Sequence, residues 1–194
     1  GSEMCIRDRS TGDFGETTFQ TNIDDLKAAY EFMEAEFEAP SLLIGHSLGG
    51  AAALNAGHDM PKIKAVTTIG APFDPAHSIV RIAGDISTVD EHGTQVLQIE
   101  GRGIPISREF LEVLADYNPE VYLSQLRKPL LILHSPTDQT VGIDSAQKIF
   151  QVSRYPKSLM SLDRADHLLT RAKSAARAAD LIYAWADSYL PEAE

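Results

Sequence analysis

The run Gly45-His46-Ser47-Leu48-Gly49-Gly50 constrains this chain more than any other segment, because it stands between an apolar stretch and an alanine-rich one. Before it, Ser41-Leu42-Leu43-Ile44 is a short continuous apolar run, the pattern of a strand buried on both faces of a sheet. After it, Ala51, Ala52, Ala53 and Leu54 favour helix and are small enough to let that helix lie close to the sheet. A G-x-S-x-G pattern at such a junction is a nucleophile elbow: glycines remove Cβ atoms where backbones crowd, and the serine hydroxyl is held up at the carboxyl edge of the sheet. Average glycine and serine frequencies give roughly one chance in fifteen of meeting the pattern somewhere in a chain of this length, so the flanking strand and helix carry the reading. The start of the helix also directs backbone N–H groups at a developing oxyanion, and Leu48 supplies one of them.

Strand and helix continue to alternate along the chain. Ile23, Leu26, Tyr30, Met33 and Phe37 predict one buried face of a helix from Asn22 to Glu38, which Pro40 stops. Lys64 to Ile69 reads as a strand broken by Gly70-Ala71-Pro72. Residues 74–127 read as a cap over one end of the sheet: a helix from Ala76 to Gly84, a hairpin of Thr94–Glu100 and Ile104–Ser107, a helix around Phe110, Leu111 and Leu114, and a short one over Val121–Leu126. Strands follow at Pro129–His134 and Lys157–Leu162, and a helix at Ser145–Val152, capped by Asp144. A closing helix spans Thr170–Tyr189. Its apolar stripe is Ala172, Ala175, Ala176, Ala179, Ile182, Ala186 and Tyr189, with Arg171, Lys173, Arg177 and Asp187 in water. The alternation predicts an α/β class with a mostly parallel sheet flanked by helices. One domain over residues 11–194 accounts for the chain, and residues 1–10 read as a cloning scar, Gly1-Ser2, with an adapter-like leader.

A serine hydroxyl is a weak nucleophile until a base takes its proton, and the base needs an anion to fix its tautomer. Asp138 lies in a turn directly after the strand ending at His134, and His167 lies between the last strand and the closing helix. Both positions emerge at the carboxyl edge of a parallel sheet, where Ser47 also sits. Asp163 and Asp166 are too close in sequence to His167 to be preferred over Asp138, His58, His77 and His92 read as surface or cap residues, and His134 reads as a strand-end residue packed near the site. Phe73, Ile79, Phe110 and Val141 are candidate walls of a substrate pocket. With Cys5 the only cysteine and no H-x-x-x-H spacing, neither a metal site nor a cofactor is expected.

The 17 Lys and Arg residues against 28 Asp and Glu give a net charge of −11, which repels phosphate backbones and anionic membrane surfaces. Nucleic acid and membrane are therefore not expected as partners. No run approaches the roughly 18 apolar residues of a membrane span. The single cysteine is compatible with a reducing cytoplasm.

At these motifs the chain resembles the α/β-hydrolase domain of the bifunctional α/β-hydrolase/OsmC-type proteins. The residues that carry the resemblance are Gly12-Asp13-Phe14-Gly15-Glu16-Thr17, Leu43 to Gly50, Ile69-Gly70-Ala71-Pro72, His134 to Asp138 and Ala165-Asp166-His167-Leu168-Leu169. The resemblance spans Thr11 to Leu190 and implies a cytoplasmic serine hydrolase acting on a small ester, with Ser47, Asp138 and His167 at the catalytic positions in the Ser, Asp, His order of that fold. Two departures accompany it. The OsmC-type domain needs a cysteine pair that this chain lacks. About four strands and a helix that normally open the fold, with the loop giving the second oxyanion donor, have no counterpart here, so a truncated α/β-hydrolase fold is expected. The strand Ser41–Ile44 then becomes an edge through which a homo-oligomer should form. Loss of one oxyanion donor costs roughly 10²- to 10³-fold in turnover. The expected activity is that of a serine esterase with an acyl-enzyme on Ser47. Its alternative is a weak or inactive remnant that self-associates or binds small ligands.

Overall fold

The apolar runs form four parallel strands of one sheet and the polar-apolar stretches between them form helices. The computed structural model describes residues 14–83, 93–99 and 102–190. In chain order the elements are α1 (Phe19–Glu36), β1 (Leu42–His46), α2 (Leu48–Ala56), β2 (Ala65–Ile69), α3 (Pro75–Ala83), β3 (Thr94–Ile99), β4 (Arg102–Ser107), α4 (Arg108–Ala115), α5 (Pro119–Leu126), β5 (Leu130–His134), α6 (Ile143–Val152), β6 (Lys157–Ser161) and α7 (Ala172–Ala186). The main sheet has the order β1-β2-β5-β6, all parallel, while β3 and β4 form the separate antiparallel hairpin. The leader over residues 1–10, Gly12, Asp13, Gly84, His92, Glu100 and Gly101 lie outside the described residues.

Register is what positions the site. His46 of β1 pairs with Ile69 of β2, Ile69 with Leu133 of β5, and Leu133 with Met160 of β6, so the carboxyl ends of all four strands fall in line. The turns after β1, β5 and β6 therefore leave the sheet along one rim. Side chains alternate between the two faces. Val66, Leu130 and Ile132 join Ala51, Leu54, Leu123 and Ile149 in the larger core, while Leu131 and Leu133 meet Ala178 and Ile182 on the other face. Leu130 to Leu133 are at most 1% exposed, which explains why β5 reads as an unbroken apolar run.

The structure corrects several expected boundaries. α1 begins at Phe19 because Thr18 and Thr21 cap it reciprocally: Thr18 Oγ1 accepts from the Thr21 N–H at 3.1 Å and Thr21 Oγ1 from the Thr18 N–H at 2.9 Å. Its far end is not buried as expected; Met33 is 40% and Phe37 66% exposed. The 18 residues of α1 outrun the 9 of α2 on which it packs, so its last turns extend past that helix. α6 is capped by Gly142, not Asp144. Asp144 sits in its first turn, where a carboxylate favours the helix dipole.

In α7 the buried stripe is Ala178, Ile182 and Ala186 with Leu181 and Trp185 packed beside them, and the expected Ala172, Ala175, Ala176 and Ala179 are exposed. Leu181 and Trp185 offer far more apolar area than any alanine, and their burial sets the rotation of the helix. Within residues 74–127, Ile79, Ile106, Phe110 and Leu114 all reach the larger core. Tyr122, Leu123 and Leu126 place α5 in the main core, in the helical layer with α2 and α6. No helix among the described residues is long and apolar enough to cross a membrane.

Candidate active site

Ser47 sits between β1 and α2 at φ 51° and ψ −128°, a strained conformation for a residue with a side chain. The turn survives because its neighbours fix it: the Ser47 N–H donates to the Ile69 carbonyl at 2.9 Å, and the Ser47 carbonyl accepts from the Gly50 N–H at 2.8 Å. A Cβ on Gly45 would stand 2.4 Å from the Gly49 carbonyl oxygen, and one on Gly50 would stand 2.7 Å from the Ala71 Cβ. These two glycines are sterically required. Gly49 is not; a Cβ there would meet nothing within 4 Å. The motif's glycines therefore do not share one role.

Asp138 is held by its own loop. Its Oδ1 accepts from the backbone N–H groups of Thr140 and Val141, each at 2.9 Å, which leaves Oδ2 to face His167. Burial pushes the carboxyl up, but the His167 hydrogen bond, helped by the Val141 and Thr140 N–H groups, outweighs it and holds Asp138 below its ordinary value of 3.8. A carboxylate with a depressed folded value contributes stability above its unfolded value and loses it as pH falls through the folded one. The expected result is a melting-temperature gap between the protein and its Asp138→Asn variant that holds above about pH 4 and narrows below it. A thermal melt series across that range checks this.

His167 follows β6 in a loop braced by other segments. Its Nδ1–H donates to Asp138 Oδ2 at 2.8 Å, so Nε2 is free to accept the Ser47 hydroxyl at 2.9 Å. The side chains of His167 and Asp138 are 3% and 2% exposed, while Ser47 is only half-buried. The three residues chosen from the sequence are thus brought into one hydrogen-bonded chain, in which the serine alone reaches solvent.

Three further side chains hold that chain in place. His46 Nε2–H donates to the His167 carbonyl at 2.7 Å, and the two rings lie 5.0 Å apart. Burial holds the His46 imidazole below its ordinary 6.5, so the ring that ties the elbow to the histidine loop is neutral. Ser135 Oγ donates to the Ala165 carbonyl at 2.6 Å, joining the aspartate and histidine loops. His134, fully buried, donates from Nε2 to the Val141 carbonyl at 2.8 Å and steadies the Asp138 turn. Gly70 passes directly beneath: at φ +57°, its Cβ position lies 3.3 Å from His167 Nδ1. The sequence marks Gly70 as a strand breaker and both Gly70 and Ser135 as carriers of the resemblance, but it does not show the bracing role of Ser135, because a brace between loops leaves no local pattern. His46→Phe keeps a ring but removes the donor. It should lower kcat for hydrolysis about 10-fold to 100-fold by letting the imidazole drift, with KM nearly unchanged in steady-state assays.

Leu48 opens α2, so its N–H is one of those that a helix leaves without an internal partner. The expected pocket walls fare unevenly. Phe73 is half-buried on the loop after β2, where its carbonyl accepts from the Tyr122 hydroxyl at 3.2 Å. Ile79 and Phe110 are drawn into the main core on the apolar faces of α3 and α4. Val141 is buried with its backbone engaged by Asp138 and His134. Among the described residues no group of His, Cys, Asp or Glu side chains could hold a metal ion.

A parallel sheet flanked by helices, with a strained serine at the β1–α2 turn, defines an α/β-hydrolase. The esterase domain of a Rhodothermus marinus protein is 47% identical and superposes with a TM-score of 0.75, covering 90% of this chain and 70% of that one. The chain belongs to the Hydrolase_4 family (serine aminopeptidase, S33), which it matches over residues 9–108. Est1E from Butyrivibrio proteoclasticus, solved with ferulic acid bound, shares the fold with a TM-score of 0.76 at 15% identity, covering 91% of this chain and 72% of that one. A curated relative, the uncharacterized protein YqkD of Bacillus subtilis (strain 168), is 25% identical over 76 residues; the match spans 37% of this chain and 25% of that protein. The comparisons and the fold support a hydrolase of the serine hydrolase and esterase type.

Proposed function

We propose that the chain is a serine esterase that cleaves small carboxylic esters through an acyl-enzyme on Ser47. The observation that carries this reading is the relay from Asp138 through His167 to Ser47, at 2.8 and 2.9 Å. Asp138 orients the imidazole and stabilises its cationic form, and His167 Nε2 takes the hydroxyl proton as Ser47 Oγ attacks the ester carbonyl. The tetrahedral oxyanion is stabilised by the Leu48 N–H, and His167 returns the proton to the leaving alcohol. Water, deprotonated by the same nitrogen, then releases the acid and restores Ser47. Phe73 is the pocket wall most accessible to the acyl or alcohol group. The chemistry draws on side chains and backbone alone.

The ester assignment follows the similarity to the esterase domain of the Rhodothermus marinus protein. The family description, serine aminopeptidase, names the competing substrate class. Matched substrates separate them: p-nitrophenyl acetate and butyrate against amino-acid p-nitroanilides. Ester hydrolysis with no anilide hydrolysis above background is expected. Faster turnover of the anilides would overturn the ester reading and leave the nucleophile assignment intact.

For assembly we propose that two copies meet at β1, the edge strand of the described sheet, where Ile44 is 49% exposed. Unpaired strand groups there are a template for a second chain. Light scattering should give a dimer at micromolar concentration; a monomer would refute this. The lone Cys5 fits a cytoplasmic site of action.

A further inference from the structure

Between the loop that follows β6 and the start of α7 lies a cavity of about 330 Å³, lined by Leu162, Asp163, Arg164, Ala165, Arg171, Lys173, Ser174 and Arg177. Four of the chain's 17 basic residues converge on it against the single carboxylate of Asp163, whose Oδ1 is already engaged by the Ser161 hydroxyl. None of these four cations makes a side-chain hydrogen bond or ion pair among the described residues. All four are exposed, on a protein of net charge −11. Four that remain unpaired around one concavity form a local field of the opposite sign to the whole.

We infer that this cavity binds a small molecule bearing a phosphate group. Three guanidinium forks and an ammonium suit a group with two charges and several acceptor oxygens better than a single carboxylate. The first turn of α7 opens at the cavity, and its N-cap residue Arg171 makes no side-chain cap, so the backbone N–H groups of Ala172 and Lys173 are available to the same anion. A volume of about 330 Å³ exceeds what a bare phosphate needs, and buried Leu162 and Ala165 provide an apolar floor for an organic remainder. Ser47, Asp138 and His167 do not line the cavity, so the site is separate from the proposed esterase centre.

Thermal melts of the full chain test this, with inorganic phosphate and glucose 6-phosphate as probes and sodium chloride at matched ionic strength as control. Both probes should raise the melting temperature saturably, glucose 6-phosphate at the lower concentration, and the chloride control should not. The double variant Arg171→Gln/Arg177→Gln should weaken the apparent Kd by about tenfold or more. Arg154→Gln, at the opposite end of β6, and Ser47→Ala should both bind as the parent does. The inference is overturned if neither probe stabilises the parent beyond the chloride control, or if the double variant responds undiminished. Because Ser47→Ala is expected to bind normally, failure here and failure of the esterase reading are distinguishable.

Discussion

Ser47→Ala should lower hydrolysis of p-nitrophenyl acetate by roughly 10⁴-fold or more. The variant keeps the sheet rim, the Leu48 N–H and the Asp138–His167 pair, but it leaves the imidazole with no hydroxyl to deprotonate. Nothing else in the relay can replace the oxygen: the Asp138 carboxylate is enclosed and already accepts from His167, Thr140 and Val141. Stability should change little, since the hydroxyl makes one hydrogen bond, worth about 1 kcal/mol, and the backbone strain at φ 51° is common to serine and alanine. Parallel measurement of kcat/KM and melting temperature checks the split. Equal hydrolysis by variant and parent would remove Ser47 from the chemistry.

The second large effect separates glycines that look alike in the sequence. Gly45→Ala should destabilise the fold by about 3 kcal/mol or more, because its Cβ would collide with backbone atoms of Gly49 and Gly50 that cannot rotate away. For a domain of this size that is a fall in melting temperature of about 6 to 12 °C. Gly49→Ala should be neutral or stabilising by up to about 1 kcal/mol, since its Cβ enters open space within α2 and alanine is the better helix former. Thermal melts of the two variants side by side check this. Equal destabilisation would mean that the elbow is not packed as described.

The legibility of the fold followed the strength of its local signals. β5 announced itself because both sheet faces bury Leu130 to Leu133, and the elbow because Gly45 and Gly50 meet steric demands that no other residue satisfies. Asp138 and His167 could be chosen because parallel strands end on a common rim, so position after a strand implies position at the site. α7 was misread because alanine periodicity carries little energetic weight beside Leu181 and Trp185. Phe110 and Ile79 lie in the main core, and an apolar helix face has the same pattern whether it meets a ligand or a core. The bracing contacts of His46 and Ser135 left no local pattern in the sequence. The reach of His46 to the His167 carbonyl, 121 positions away, and of Ser135 to Ala165, 30 positions away, depends on how the strands are ordered in the sheet.

The most direct test of the central claim, that His167 activates Ser47, is covalent labelling of the folded protein by a fluorophosphonate probe followed by peptide mapping. One adduct per chain is expected, on the peptide containing Ser47, absent from Ser47→Ala and slowed by roughly 10³-fold or more in His167→Ala. An adduct that persists in Ser47→Ala, or labelling as fast without the imidazole as with it, would contradict the account.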